Sequence, residues 1–291
     1  MKILNIGSLN IDYVYTVDHI VKEGETIAST RLESYCGGKG LNQSIALSRA
    51  GAKVYHMGIV GEDGEMLLEM CKNNDIDTSY LKQIEGKSGH AIIQVDKNAQ
   101  NSILLYPGSN RMFIREYIDE VLKNFQKGDM LLLQNEINLV DYIVEAAYLK
   151  GLTIVLNPSP YNEYMESVDM SKISIFLMNE VEAAQIAGAG NPNDVLTLMK
   201  EKYPDAKVVL TLGEKGSIYQ YKDQVVCQDA IKVNVVDTTA AGDTFTGYFL
   251  AGLLANKRME QILQESAKAA AIAVSRKGAA VSIPYKSELE S

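Results

Sequence analysis

Cysteine and histidine are scarce in this 291-residue chain, and their placement excludes most of the chemistry they could bring. The three cysteines, Cys36, Cys71 and Cys227, lie far apart, so they form neither a disulfide framework nor a thiolate metal motif and read as reduced thiols. The three histidines, His19, His56 and His90, show no HxH or HExxH spacing and receive no metal or catalytic role. No run approaches the ~18 apolar residues that a membrane span needs. The first residues, Lys2 to Ile6, read as a strand rather than as a secretory signal, and a cytosolic location is the expectation. Positive charge is also short. A net charge of −9 argues against nucleic acid or an anionic membrane as partner, so an anionic ligand would have to be held by local dipoles, a metal or a few cations.

Two common nucleotide-binding signatures are missing as well. A Walker A loop needs G-x-x-x-x-G-K-[ST], but Lys39 is followed by Gly40, and Gly86-Lys87-Ser88 has Leu81 where the first glycine should stand. The dinucleotide fingerprint G-x-G-x-x-G is absent after Gly7, which counts against a Rossmann oxidoreductase. There is no internal repeat, low-complexity tract or Pro/Gly linker to divide the chain.

What is present is an alternation. Runs rich in branched apolar residues (Lys2 to Ile6, Lys53 to Val60, Asp129 to Gln134, Thr153 to Leu156, Ile173 to Met178, Lys207 to Leu212) alternate with segments of helical period (Gly64 to Asn73, Leu139 to Leu149, Asn179 to Ala187, Asp194 to Lys202, Gly242 to Leu254, Met259 to Ser275). This pattern predicts an α/β fold in which a mostly parallel sheet is covered by helices on both faces. Two regions break it. Residues 11–35, and 89–106 around the turn-like DKNAQ, read as strands without helices; they form either a small lid sheet or an antiparallel extension of the main sheet.

Five polar segments could carry chemistry. In VVDTTAAGDTFTGYFLAGLL (Val235 to Leu254), the small residues Ala240, Ala241 and Gly242 expose the start of a helix, whose free N–H groups and dipole favour an anion. Asp243 in that first turn either takes a proton from a hydroxyl attacking the anion or simply complements the dipole. CGGKGLNQSIALSRAGAKV (Cys36 to Val54) gives a glycine-rich loop running into a helix with Asn42 near its start, either a binding loop or a turn. Asn10 and Asp12 follow the first strand; spaced by two on an extended segment they face one side, where they suit vicinal hydroxyls or cap a turn. Asn179 and Glu182 share a helix face, and Thr211 to Gly216 follows a strand. The first pair suits a water-mediated Mg²⁺ or phosphate contact or a helix cap, and the second a nucleotide pocket or a hairpin turn.

In this order the segments resemble the PfkB, ribokinase-like, family of carbohydrate kinases across essentially the whole chain. GGKGLN at 37–42 is similar to that family's first signature, and DTTAAGDTFTG at 237–247 to its second, more specific one. The resemblance implies a three-layer sandwich with a small β-sheet lid, residues 1–291 forming one kinase domain. The implied activity is ATP-dependent transfer of the γ-phosphoryl group to a hydroxymethyl group of a small sugar, D-ribose first. Another sugar, a sugar acid or a nucleoside is the alternative acceptor, and a silent sugar- or nucleotide-binding protein is the alternative class. By matching position, Asp243 would be the base, with Ala241 and Gly242 as anion hole. Asn10, Asp12, Gly38, Lys39, Asn42 and Glu136 would hold the sugar; Asn179, Thr211, Gly213, Gly216 and Gly242 the nucleotide; and Glu182 Mg²⁺ through water. Asp237, Thr239, Ala273, Arg276, Gly278 and Ser282 match a site for K⁺ or a similar monovalent cation. The resemblance also implies a homodimer joined through the lids. One position departs from the family: a polar adenine contact falls at Ala267.

Overall fold

The computed structural model describes residues 1–98 and 100–290. Ala99, within the turn expected at 96–100, lies outside the described residues. In chain order the strands are β1 (Ile3–Ile6), β2 (Asn10–Thr16), β3 (Arg31–Gly37), β4 (Val54–Val60), β5 (Asp77–Gln83), β6 (Gly89–Val95), β7 (Asn101–Tyr106), β8 (Met130–Gln134), β9 (Thr153–Asn157), β10 (Ile175–Asn179), β11 (Lys207–Thr211), β12 (Ser217–Tyr221) and β13 (Gln224–Gln228). The helices are α1 (Lys39–Arg49), α2 (Glu65–Asn73), α3 (Arg115–Leu122), α4 (Val140–Leu149), α5 (Glu180–Ala187), α6 (Pro192–Lys202), α7 (Ala241–Leu254) and α8 (Met259–Val274).

Nine strands form the main sheet in the order β13-β12-β11-β10-β9-β8-β1-β4-β5. All neighbours are parallel except β11 with β12 and β12 with β13. Central strands such as MLLLQ in β8 are buried throughout, and apolar apart from Gln134 at the carboxyl end, because both faces are covered. Successive residues feed two separate cores. Leu131 and Leu133 enter the one packed by Ile118, Ile143 and Val144, while Met130 and Leu132 enter the one packed by Leu41, Ile45, Phe245 and Phe249. The chain builds from β1 toward β4 on one side and later toward β8 on the other, so the strand order reverses at β1. In open α/β sheets the crevice beyond the carboxyl ends of the strands at such a point is where ligands bind.

The regions 11–35 and 89–106 do not extend that sheet. Strands β3-β2-β6-β7 make a separate four-stranded one, with β2 and β6 parallel and the outer pairs antiparallel. Leu32, Ile103, Leu104 and Leu105 of this lid are exposed. The segment at Thr211 to Gly216 is the turn between the antiparallel strands β11 and β12.

Helices α1 and α7 meet at unusual closeness. A Cβ on Gly247 would stand 2.3 Å from Ala46 Cβ and 2.7 Å from the Leu47 backbone nitrogen, so only glycine allows this approach. One helical turn before that contact, α1 presents Asn42 and Gln43 and α7 presents Asp243. The glycine thus fixes the distance at which those three side chains face each other.

Candidate active site

Asp243 lies in the first turn of α7 and is only 6% exposed. Ala240, the residue before the helix, takes a left-handed backbone with φ 60°. The Ala241 N–H donates to Thr238 O at 3.3 Å, and a Cβ on Gly242 would meet nothing within 4 Å. Gly242 therefore borders open space that no protein atom claims, at a helix end with unsatisfied N–H groups.

Each carboxylate oxygen of Asp243 accepts one side-chain amide. Asn42 Nδ2 donates to Oδ2 at 3.1 Å, and Gln43 Nε2 donates to Oδ1 at 2.9 Å. A carboxylate offers about four lone-pair positions, so each oxygen keeps acceptor capacity for an outside hydroxyl.

A cleft opens beside Asp243 and is lined by Lys39, Asn179, Glu182, Thr211 and Gly242 among others. Burial pulls the Lys39 ammonium down, but Asp243, Glu136 and Glu182 outweigh it and hold its pKa above the ordinary lysine value. Asn179 caps α5 by accepting from the Val181 and Glu182 N–H groups, and Glu182 returns the bond by accepting from Asn179 N and Nδ2, each at 2.9 Å. A buried carboxylate with capacity to spare suits a hydrated hard cation such as Mg²⁺. Gly213 and Gly216 lie in the turn that follows Thr211.

A second cavity lies under the lid and is lined by Asn10, Leu105, Asn110, Arg111, Asn135 and Glu136, among others. Glu136 joins the two spaces. It accepts from Lys39 N at 2.9 Å and from the Ser8 hydroxyl across the point where the strand order reverses. Burial pushes its carboxyl up, against the opposing effect of Lys39. Asp12 is pushed up to about 7 by burial, with the charge of Glu136 adding. Its carboxylate occupies the position that a Gly37 side chain would need, 2.1 Å from the ideal Cβ. Gly40 is pressed against Gly7 and Ser8, and Gly38 has φ 92°. The 37–40 loop thus owes two of its glycines to protein contacts. Lys39, expected with the sugar set, lines the same cleft as Asn179 and Thr211.

Asp237 stands apart from both cavities. It accepts from Thr239 N at 2.9 Å, Thr239 Oγ1 at 2.6 Å and Gly278 N at 3.0 Å. Burial would raise its carboxyl, yet these donors hold it below the ordinary carboxylate range. Val236 N and Asp237 N both donate to Val274 O, beside buried Ala273. Arg276 turns away to Glu288, and Ser282 Oγ donates to Ala279 O. Ala267 is buried at 9% exposure.

Sequence reasoning missed Gln43, Asn110 and Arg111. Asn110 pairs with Leu9 through both backbone groups and donates to Asn10 Oδ1 at 2.7 Å. The Arg111 guanidinium lies 4.8 Å from the centre of the Tyr164 ring. Their only sequence signal was a short polar run after the second lid hairpin.

Residues 1–286 match the family described as pfkB family carbohydrate kinase. The chain is 33% identical over 292 residues to a Haemophilus influenzae ribokinase, covering 97% of this chain and 95% of that protein. Among solved structures, a Thermotoga maritima ribokinase superposes with a TM-score of 0.88 at 30% identity, covering 100% of this chain and 98% of that one. An Arabidopsis thaliana ribokinase complexed with ribose and ATP gives a TM-score of 0.87 at 26% identity, covering 99% of this chain and 97% of that one.

Proposed function

The chain belongs to the pfkB family of carbohydrate kinases, and we propose that it moves the γ-phosphoryl group of ATP to the hydroxymethyl group of free D-ribose. It is a phosphotransferase with an alcohol acceptor. The observation that carries the proposal is a buried carboxylate, Asp243, held by two amides next to the open helix end at Gly242. The ribokinase relatives and the neighbour solved with ribose and ATP support ribose as the sugar.

In this reading ATP lies in the cleft of Asn179, Thr211 and Gly242, and the sugar lies under the lid against Asn10 and Glu136, with Asp12 near Glu136. Asp243 takes the proton as the sugar oxygen bonds to the γ-phosphorus and the bond to the ADP oxygen breaks. The Gly242 N–H faces the charge on the transferred group, the Ala241 N–H would join it by leaving Thr238 O, and the Lys39 ammonium offsets part of that charge. Mg²⁺ bound with ATP would neutralise phosphate charge, and Glu182 would hold one of its waters. Lid strands that shed water from the sugar protect the phosphoryl group from hydrolysis.

Three finer features belong to the same reading. A K⁺ ion near Asp237, Thr239, Ala273 and Gly278 would brace the loop before α7. The exposed lid residues Leu32, Ile103, Leu104 and Leu105 suit the lid of a second copy. No helix of the described residues is long and apolar enough to cross a membrane, and we read the enzyme as cytoplasmic. A panel of sugars and nucleosides, scored for ADP release with ATP and Mg²⁺, tests the assignment. D-ribose should give the highest kcat/KM; absence of ADP release with every acceptor on the panel would point to a silent binding protein.

A further inference from the structure

Below Asp243 a chain of buried polar side chains runs from the Gln43 amide through the interior to His56, and beyond that amide the proposed reaction has so far used none of it. His56 is fully buried, and burial lowers its pKa to about 4, so the ring is neutral with one N–H. Gly7 O, at 3.3 Å from Nε2, can only accept, which places that N–H on Nε2 and leaves Nδ1 to accept from Ser44 Oγ at 2.7 Å. Ser44 Oγ in turn accepts from Asn5 Nδ2 at 2.8 Å. Gln134 Nε2 donates both to Asn5 Oδ1 at 3.0 Å and to Gln43 Oε1 at 2.7 Å. With its oxygen held by Gln134, Gln43 must turn its amide nitrogen to Asp243 Oδ1. The reversed amide would set NH₂ against NH₂ at Gln134 and oxygen against carboxylate at Asp243.

We propose that Gln43 is the positioning residue of the reaction, holding the Asp243 carboxylate in the orientation from which it meets the sugar hydroxyl, with Gln134 fixing the direction of the Gln43 amide. This rests on Asp243 being the base. Gln43 is fully buried with its amide nitrogen committed to Asp243 and its oxygen to Gln134, so its effect on turnover passes through Asp243.

The test is a double-mutant cycle with Gln43→Met, Asp243→Asn and the pair, each checked for folding by thermal melting. Gln43→Met should lower kcat about 10- to 100-fold, the usual weight of a hydrogen bond to a charged group, with the KM values for sugar and ATP within about threefold. In the Asp243→Asn background the same change should cost less than about twofold, because its target is gone. Equal losses in both backgrounds would make Gln43 a structural residue and overturn the inference. So would wild-type turnover in Gln43→Met beside a crippled Asp243→Asn. An active Asp243→Asn enzyme instead overturns the base assignment itself. Gln43→Glu keeps the size and the acceptor for Gln134 but puts oxygen against Asp243. If Gln43→Met does not fold, Gln43→Glu replaces it in the cycle. It should lose at least as much kcat, and again nothing further once Asp243 is replaced; turnover within twofold of wild type contradicts the proposal.

Discussion

Asn42 and Asp243, 201 positions apart in the chain, meet at 3.1 Å through Asn42 Nδ2 and Asp243 Oδ2. The other end of the same amide, Asn42 Oδ1, is buried and finds no partner among the described residues. Burying a polar atom without a partner costs about 1–3 kcal/mol, which a sugar hydroxyl could offset. Asn42→Ala should therefore raise the KM for sugar by about 5- to 100-fold and leave the KM for ATP within a few-fold. Steady-state kinetics with each substrate varied in turn decide it; an unchanged sugar KM with a sharply raised ATP KM would move Asn42 to the nucleotide side.

Gly247 sets the spacing of the two helices that carry this pair. In Gly247→Ala the new methyl would stand 2.3 Å from Ala46 Cβ, so α7 must move away from α1. Thermal melts should show a loss of about 1–3 kcal/mol, the usual cost of overpacking, together with reduced kcat. Wild-type stability and turnover would mean that the helix contact does not position the site.

Asp12 gives the ligand-free enzyme a pH-dependent weakness. Its pKa is about 7 in the folded chain and 3.8 as the ordinary value, so between these limits the unfolded chain releases the proton first. The folded state then binds more protons than the unfolded one, and stability falls as pH rises through that window. Asp12→Asn has no such proton to lose. Its melting temperature relative to wild type should be higher at about pH 8 than at about pH 5. A constant difference across that range would show that Asp12 titrates normally.

The sheet was legible because its central strands are mostly apolar, and the two cores divide along the alternation visible in β8. What was not read is as informative. Strand β5, DTSYLKQ, is an edge strand with no buried residue, so it has no apolar pattern to find. The β12–β13 hairpin turns at Lys222, with φ 53°, instead of at the Asn-Gly or Asp-Gly pair that signals such a turn. Helix α3 did carry a signal, buried Tyr117, Ile118, Val121 and Leu122 at helical spacing, but over only eight residues. Asp243 could be picked out because small residues precede it in the chain. Gln43 could not, because a glutamine in the first turns of a helix looks like solvated surface until α7 is packed on it.

The loop before α7 should respond to monovalent cations. If K⁺ braces Asp237 and the 273–278 segment, replacing a large organic cation by potassium at constant ionic strength raises kcat. Equal rates in the two buffers would remove the cation from the account.

Asp243→Asn tests the central claim most directly. Asparagine keeps the size but can accept an amide on one atom only, and Asn42, whose Oδ1 has no partner among the described residues, can turn to meet the new NH₂; the fold should survive. Loss of a general base lowers turnover by about 10²–10⁴-fold. Measured on one folded preparation, kcat on the best sugar should fall by that factor. ATP binding by titration should be retained or slightly tighter, since a negative charge beside the γ-phosphate is gone. Turnover within a few-fold of wild type would make Asp243 an ordinary helix-terminus residue and contradict the mechanism.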